Sequence, residues 1–245
     1  TPMGNTLPDH VIKRWIIQCA LGCALSLAAC SPRQPSQAFT VGALLDESRF
    51  ESPLDWESYS DPSIGAAGAV ADGVYRIDIN DGGFMWALHD RSEADVVVEV
   101  ETTQFSDYRD NAYGVMCRAD PSANGNGYYF LISGDGYYSI RRGVGREVRD
   151  LVPFTYSDAI RRDKDFNRIR AVCLGDYLAL FVNGVLLDEV RDDLYGAGTV
   201  GLTAAVPDGG DVSVTFDNVL IFTAQAEGST AARSSDDPDW PGCWR

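Results

Sequence analysis

From about residue 40 to 223 the apolar residues alternate with polar ones in short runs, instead of recurring every third or fourth position. Val74-Tyr75-Arg76-Ile77-Asp78-Ile79 has period two, and residues 95–103 repeat it with Val96, Val98 and Val100 on one face. Period two places neighbouring side chains on opposite faces of an extended chain, so each run predicts a strand with one apolar face. Similar runs fall at 113–118, 128–133, 137–142, 168–174, 177–182, 186–190, 200–205 and 212–222. Between them stand Ser133-Gly134-Asp135-Gly136, Leu174-Gly175-Asp176, Asn183-Gly184 and Asp208-Gly209-Gly210, residues suited to the positive φ of tight hairpins. No run has the helical period, and no glycine-rich phosphate loop leads from a strand into a helix. About a dozen short antiparallel strands predict one all-β domain over residues 41–223, a two-sheet sandwich.

The flanks read differently. Lys13 and Arg14 precede an apolar stretch, 15–29, that is short for a bilayer span and has the order of a secretory signal. Its end, Leu27-Ala28-Ala29-Cys30, resembles the bacterial lipobox, which implies diacylglycerol on Cys30. A buried apolar helix carrying cysteines is the other reading of this stretch. The expected organisation is a lipoprotein signal peptide at 1–29, a lipidated Cys30 and polar, proline-bearing tether at 30–40, the domain, and a disordered tail at 224–245. The expected location is extracytoplasmic, lipid-anchored to a bacterial membrane. Ser31, in place of aspartate, points to the outer membrane by resemblance to lipoprotein sorting rules. The last residues, Trp240-Pro241-Gly242-Cys243-Trp244, are unusual for a solvated tail.

Charge and composition narrow the function classes. The 20 Lys and Arg against 36 Asp and Glu give −16, which argues against a nucleic-acid partner. With only His10 and His89, a multi-histidine zinc site is excluded, and a histidine-based triad would have to be built on His89. His89 lies in Trp86-Ala87-Leu88-His89-Asp90, and no Gly-x-Ser-x-Gly elbow accompanies it. The expected partners are the membrane, through the lipid, and a glycan or an envelope protein.

Several segments carry a resemblance. Tyr113-Gly114-Val115-Met116-Cys117-Arg118, Gly127-Tyr128-Tyr129-Phe130-Leu131-Ile132-Ser133 and Asp135-Gly136-Tyr137-Tyr138-Ser139-Ile140 resemble the laminin-G-like branch of the concanavalin A-like lectin/glucanase superfamily. So do Asn167-Arg168-Ile169-Arg170, the path through Cys173, Gly175 and Asp176 into Leu180-Phe181-Val182-Asn183-Gly184, and the closing Val214-Thr215-Phe216-Asp217-Asn218-Val219. Domains of bacterial lipoproteins related to the 3-keto-disaccharide hydrolase domain are similar. The resemblance implies an antiparallel jelly-roll sandwich. The strands bearing Cys117 and Cys173 neighbour one another in many jelly rolls, which implies a Cys117–Cys173 disulfide with Cys243 left over; two separately buried thiols are the alternative. It also implies a structural calcium clamping the first and last strands through Asp46 and Asp217, although Asp217-Asn218 fits a strand cap as well. Asp120-Pro121-Ser122-Ala123-Asn124-Gly125-Asn126 starts like a calcium loop, but Leu131 stands where a bidentate acid is required, and hairpin chemistry accounts for it.

Two sets of residues could carry chemistry. Glu99 and Glu101 stand at i and i+2 on one strand face, as acid and nucleophile do in a glucanase; acids opposite a valine core stripe are also the ordinary outer face of a strand. Tyr113, Arg118, Tyr128, Tyr137 and Arg141 form the other set, since flat rings bind sugar C–H faces and arginine bonds the hydroxyls. Phe84-Met85-Trp86 adds further rings. Alternation makes one tyrosine of each doublet core and one exposed. The resulting expectation is a surface-anchored lipoprotein with a lectin-like, non-catalytic and glycan-directed module. Its alternatives are a glycoside-active enzyme using Glu99 and Glu101, or a structural envelope protein.

Overall fold

The computed structural model describes residues 33–52, 56–145 and 147–227. The signal segment, Cys30, Cys243 and the end of the tail lie outside the described residues. What is described is all-β, two antiparallel sheets forming a jelly-roll sandwich.

The larger sheet runs β13 (Val185–Arg191), β12 (Tyr177–Val182), β11 (Phe166–Leu174), β6 (Val96–Gln104), β15 (Val212–Ala226), β4 (Val74–Ile79), β3 (Ala66–Ala71) and β2 (Tyr59–Asp61). β1 (Phe39–Ser48) also pairs with β15. The smaller sheet runs β10 (Glu147–Tyr156), β9 (Tyr137–Val144), β8 (Gly127–Ile132), β7 (Ala112–Ala119), β14 (Gly198–Val206) and β5 (Gly83–Glu93).

β15 holds the larger sheet together. β6 lines one of its edges, while β4 and then β1 share the other, matched at 212–216 and 219–226. The change of partner coincides with a bulge against β6, where Asp217 and Leu220 oppose Glu101 and Glu99. Asn218, in the bulge, has φ 49°. β1 opens on the pair Phe39–Ala226, and the Glu227 N–H donates to the Ala38 carbonyl (3.1 Å), so the chain enters and leaves the body side by side.

The core lies between the sheets. Val96, Val98 and Val100 of β6, Ile169 and Ala171 of β11 and Val214 and Phe216 of β15 face Tyr113 and Val115 of β7, Tyr128 and Phe130 of β8 and Leu202 of β14. A disulfide joins Cys117 of β7 to Cys173 of β11, Cα atoms 6.8 Å apart, and so ties one sheet to the other. In front of β1, Arg33 lies against Asp188 and Glu189 of β13, and the Ser36 N–H donates to Glu189 (2.8 Å).

Candidate functional site

Glu99 and Glu101 do share one strand face, the outer face of the larger sheet. Register places Arg170 opposite Glu99 and Arg168 opposite Glu101. Arg170 Nε donates to Glu99 Oε1 (2.6 Å); Arg168 Nη2 pairs with Glu101 Oε1, and Asn218 Nδ2 donates to its other oxygen (2.9 Å). Glu99 is only 6 % exposed. Each carboxylate is paired with a cross-strand arginine, the arrangement of an ordinary cross-strand ion pair on a sheet face.

Of the five residues expected to bind ligand, the structure takes three out of contact with solvent. Tyr113 and Tyr128 are core side chains; burial raises both hydroxyl pKa values, that of Tyr128 to about 12. The Tyr128 hydroxyl donates to Asp192 Oδ1 (2.6 Å) and accepts the Tyr195 N–H (3.1 Å). Arg118 is 2 % exposed. A bulge at Cys117–Arg118, opposite Val200, gives Arg118 φ 51° and turns its side chain inward. The guanidinium then donates to the carbonyls of Ala94 (2.7 Å), Gly175 (2.6 Å) and Tyr195 (2.9 Å), and to Asp95 Oδ1 (3.1 Å). It is an internal staple, with four of its five N–H groups committed inside the protein.

Tyr137 and Arg141 lie on the outer face of the smaller sheet. The cross-strand register runs one row over this face, Leu88–Gly201–Met116–Tyr129–Arg141–Asp150, and a second, Trp86–Thr203–Gly114–Leu131–Ser139. Alternation sets the sides accordingly, Tyr129 and Tyr137 on the outer face and Tyr128 and Tyr138 on the inner, but Tyr129 is only 5 % exposed, so the expected exposed member exists only in the Tyr137–Tyr138 doublet. Small side chains, Gly201, Thr203 and Gly114, lie next to β5, and Met116, Tyr129 and Leu131 fill the middle of the face as a buried cluster on which Trp86 and Leu88 pack. Large ones stand at both margins, Phe84, Trp86 and Leu88 on β5, and Tyr137, Arg141 and Phe154 on β9 and β10. Four strand spacings separate the β5 and β9 margins, about 19 Å. Arg141 pairs with Asp150 (2.7 Å) and lies over the Phe154 ring.

The β7–β8 loop closes one end of this face. The Tyr129 hydroxyl donates to the Gly125 carbonyl (2.6 Å), and a Cβ at Gly143 would lie 2.0 Å from the same oxygen. Asp120 shapes that loop by accepting from Ser122 N–H and Asn124 Nδ2, contacts that hold its carboxyl below the usual range.

Beside β5 lies a groove. Phe84 and Trp86, two apart and hence on one face, stack with ring centroids 5.4 Å apart and planes 16° off parallel. Phe84 is 58 % exposed. Glu57, Tyr59 and Ala123 complete a depression of about 260 Å³. It adjoins one of about 430 Å³ lined by Glu57, Leu88, His89, Asp90, Pro121 and Thr199. Sequence reasoning noted the Phe84–Trp86 pair but missed Glu57, Tyr59, Asp90 and Thr199, which come from three separate segments.

Asp46 and Asp217, the expected clamp, have separate partners. Asp46 accepts from Ser48 Oγ (3.2 Å) and faces His89 Nε2 (3.2 Å), whereas Asp217 accepts the Asn218 N–H (2.7 Å). Asp46 pairs in register with Ile221, away from Asp217, and among the described residues no three His, Cys, Asp or Glu side chains gather. His89 is buried against the Trp56 ring.

No family model matches the sequence, and no curated protein matches it as a relative. Solved structures do share its fold. A carbohydrate-binding module of Bacillus subtilis, CBM66, superposes at TM-score 0.55 with 18% identity, over 70% of this chain and 96% of that one. A protein of unknown function with a galectin-like fold, also from Bacillus subtilis, gives 0.54 and 14% over 77% and 100%. LamA of Z. galactanivorans, in complex with laminaritriose and laminaritetraose, gives 0.50 and 14% over 75% and 100%. Identities this low establish the fold alone, an antiparallel jelly-roll sandwich.

Proposed function

We propose that this protein is a non-catalytic carbohydrate-binding module, exported and tethered by lipid on Cys30, with the outer face of the smaller sheet as its ligand surface. The observation that carries the reading is the exposed, near-parallel Phe84–Trp86 stack at the β5 margin. Flat apolar rings at a sheet margin suit the C–H face of a pyranose. The arginine pairing of Glu99 and Glu101 supports a binding role over a hydrolytic one. The Asn183–Gly184 hairpin keeps the laminin-G-like branch as the family reading, and the inter-sheet disulfide suits an oxidising compartment.

Titration of the protein with soluble glucans, fructans and amino-sugar oligomers, followed by tryptophan fluorescence and calorimetry, tests it. Trp86→Ala is expected to weaken binding about tenfold to a hundredfold, with the melting temperature nearly unchanged. Binding that is indifferent to Trp86→Ala and Phe84→Ala, or absent for every glycan, overturns the proposal.

A further inference from the structure

Aromatic rings are exposed at both edges of the smaller sheet. At one edge Phe84 and Trp86 of β5 border a depression with Glu57 and Tyr59. At the other, Tyr137, Phe154 and Tyr156 of β9 and β10 are 39 %, 41 % and 42 % exposed. Tyr137 and Tyr156 pack edge to face, ring centroids 5.7 Å apart. Tyr137 and Phe154 line a second depression, of about 220 Å³, with Asp110, Asn111, Ser133 and Asp135. Each depression sets aromatic faces beside carboxylates, a combination that suits the C–H faces and the hydroxyls of a sugar.

Register puts the two sets of rings in one line. Phe84 stands opposite Ala205, Ala205 opposite Ala112, and Tyr137 opposite Tyr156. The pair Tyr113–Ile132 sets Ser133 beside Ala112, and the Ser133 N–H donates to the Tyr137 carbonyl (2.9 Å). A third row therefore crosses the outer face, Phe84–Ala205–Ala112–Ser133–Tyr137–Tyr156, with rings at its ends and only small side chains between them. Phe84 and Tyr137 are four strand spacings apart, about 19 Å, which one sugar ring cannot reach across and an extended chain of roughly four or five can.

We propose that the ligand is an uncharged linear glycan laid across the strands along this row and held at both ends, by Phe84 and Trp86 at one edge and by Tyr137 and Phe154 at the other. This rests on the carbohydrate-binding reading above. Two points of attachment make the second contact intramolecular, so affinity rises steeply once a chain is long enough to span them and stays low below that length. A uronate or sulfated chain is repelled by Glu57, Asp110 and Asp135 and by the net charge of −16.

The test is calorimetric titration of the protein with neutral gluco-, fructo- and N-acetylchito-oligosaccharides, disaccharide to hexasaccharide, and with oligogalacturonates of the same lengths. In a neutral series that binds, affinity is expected to rise about tenfold or more between the trisaccharide and the pentasaccharide and then to level off. Phe84→Ala and Tyr137→Ala change exposed side chains at opposite ends of the row. Each should bring the hexasaccharide down to about the affinity that the parent protein has for the disaccharide, with the melting temperature kept. Absence of a step in every neutral series, a step that survives Tyr137→Ala, or tighter binding of the oligogalacturonates overturns the inference. In each of those cases, glycan binding that falls with Trp86→Ala leaves the carbohydrate reading standing. Failure of every oligomer and polymer to bind overturns both.

Discussion

Arg118 shows how one residue type serves two opposite purposes. An arginine next to tyrosines in a lectin-like chain reads as a ligand contact, and that reading had no access to the backbone. The bulge that turns Arg118 inward lies opposite Val200 of β14, about eighty residues away, which local spacing cannot reveal. Its guanidinium satisfies three carbonyls and Asp95 at once. Arg118→Met should therefore leave buried acceptors unpaired and cost about 3–5 kcal/mol of stability, read by urea unfolding, while the folded fraction still binds glycan. A fall in glycan affinity at unchanged stability would return Arg118 to the ligand surface. Glu99 and Glu101 teach the same lesson from the other side. Alternation put them on the outer face correctly, but their arginine partners become visible only once β11 is laid in register against β6.

Strands were legible where one face is apolar and the other polar. β4, β6, β7, β8, β9, β11, β12, β13, β14 and β15 follow the predicted runs. β10 escaped because Glu147–Tyr156 is largely exposed and carries Pro153, which fits an edge strand and leaves little apolar signal. β1, β3 and β5 escaped for a different reason: Gly42, Gly68 and the two-sided apolar stretch Phe84–Leu88 blur the alternation, the last because β5 faces both the core and the groove. The candidate face depends on such glycines. A Cβ at Gly114 would lie 2.0 Å from the Phe130 carbonyl oxygen of β8. Gly114→Ala must push β7 from β8, and it is expected to cost about 1–3 kcal/mol, roughly 3–10 °C in Tm by calorimetry. A variant as stable as the parent would mean that the two strands have slack at this point.

For the molecule as a whole, the sandwich class was legible because strand count and turn chemistry survive without coordinates, and the cysteine pairing followed from the resemblance to jelly rolls, in which the two strands are neighbours. Sheet membership was not. Pairing β15 with β6, β4 and β1 joins segments more than a hundred residues apart, and nothing local encodes that choice. The disulfide bridges 56 residues of sequence between the sheets. In the chain-entropy account a loop of that length is worth about 4 kcal/mol, so Cys117→Ala/Cys173→Ala should lose about 2–4 kcal/mol in denaturant unfolding. An unchanged midpoint would mean that the reduced chain is already constrained.

The side-by-side entry and exit at Phe39 and Ala226 give the body a property that a bead on a string lacks. Both ends leave through one port, a single strand spacing apart, so the domain can be spliced into a surface loop of an unrelated host without prising that loop open. By the same geometry, its own ends can be stitched by a few residues and the ring cut elsewhere, for instance between β9 and β10, to give a circular permutant with the same groove.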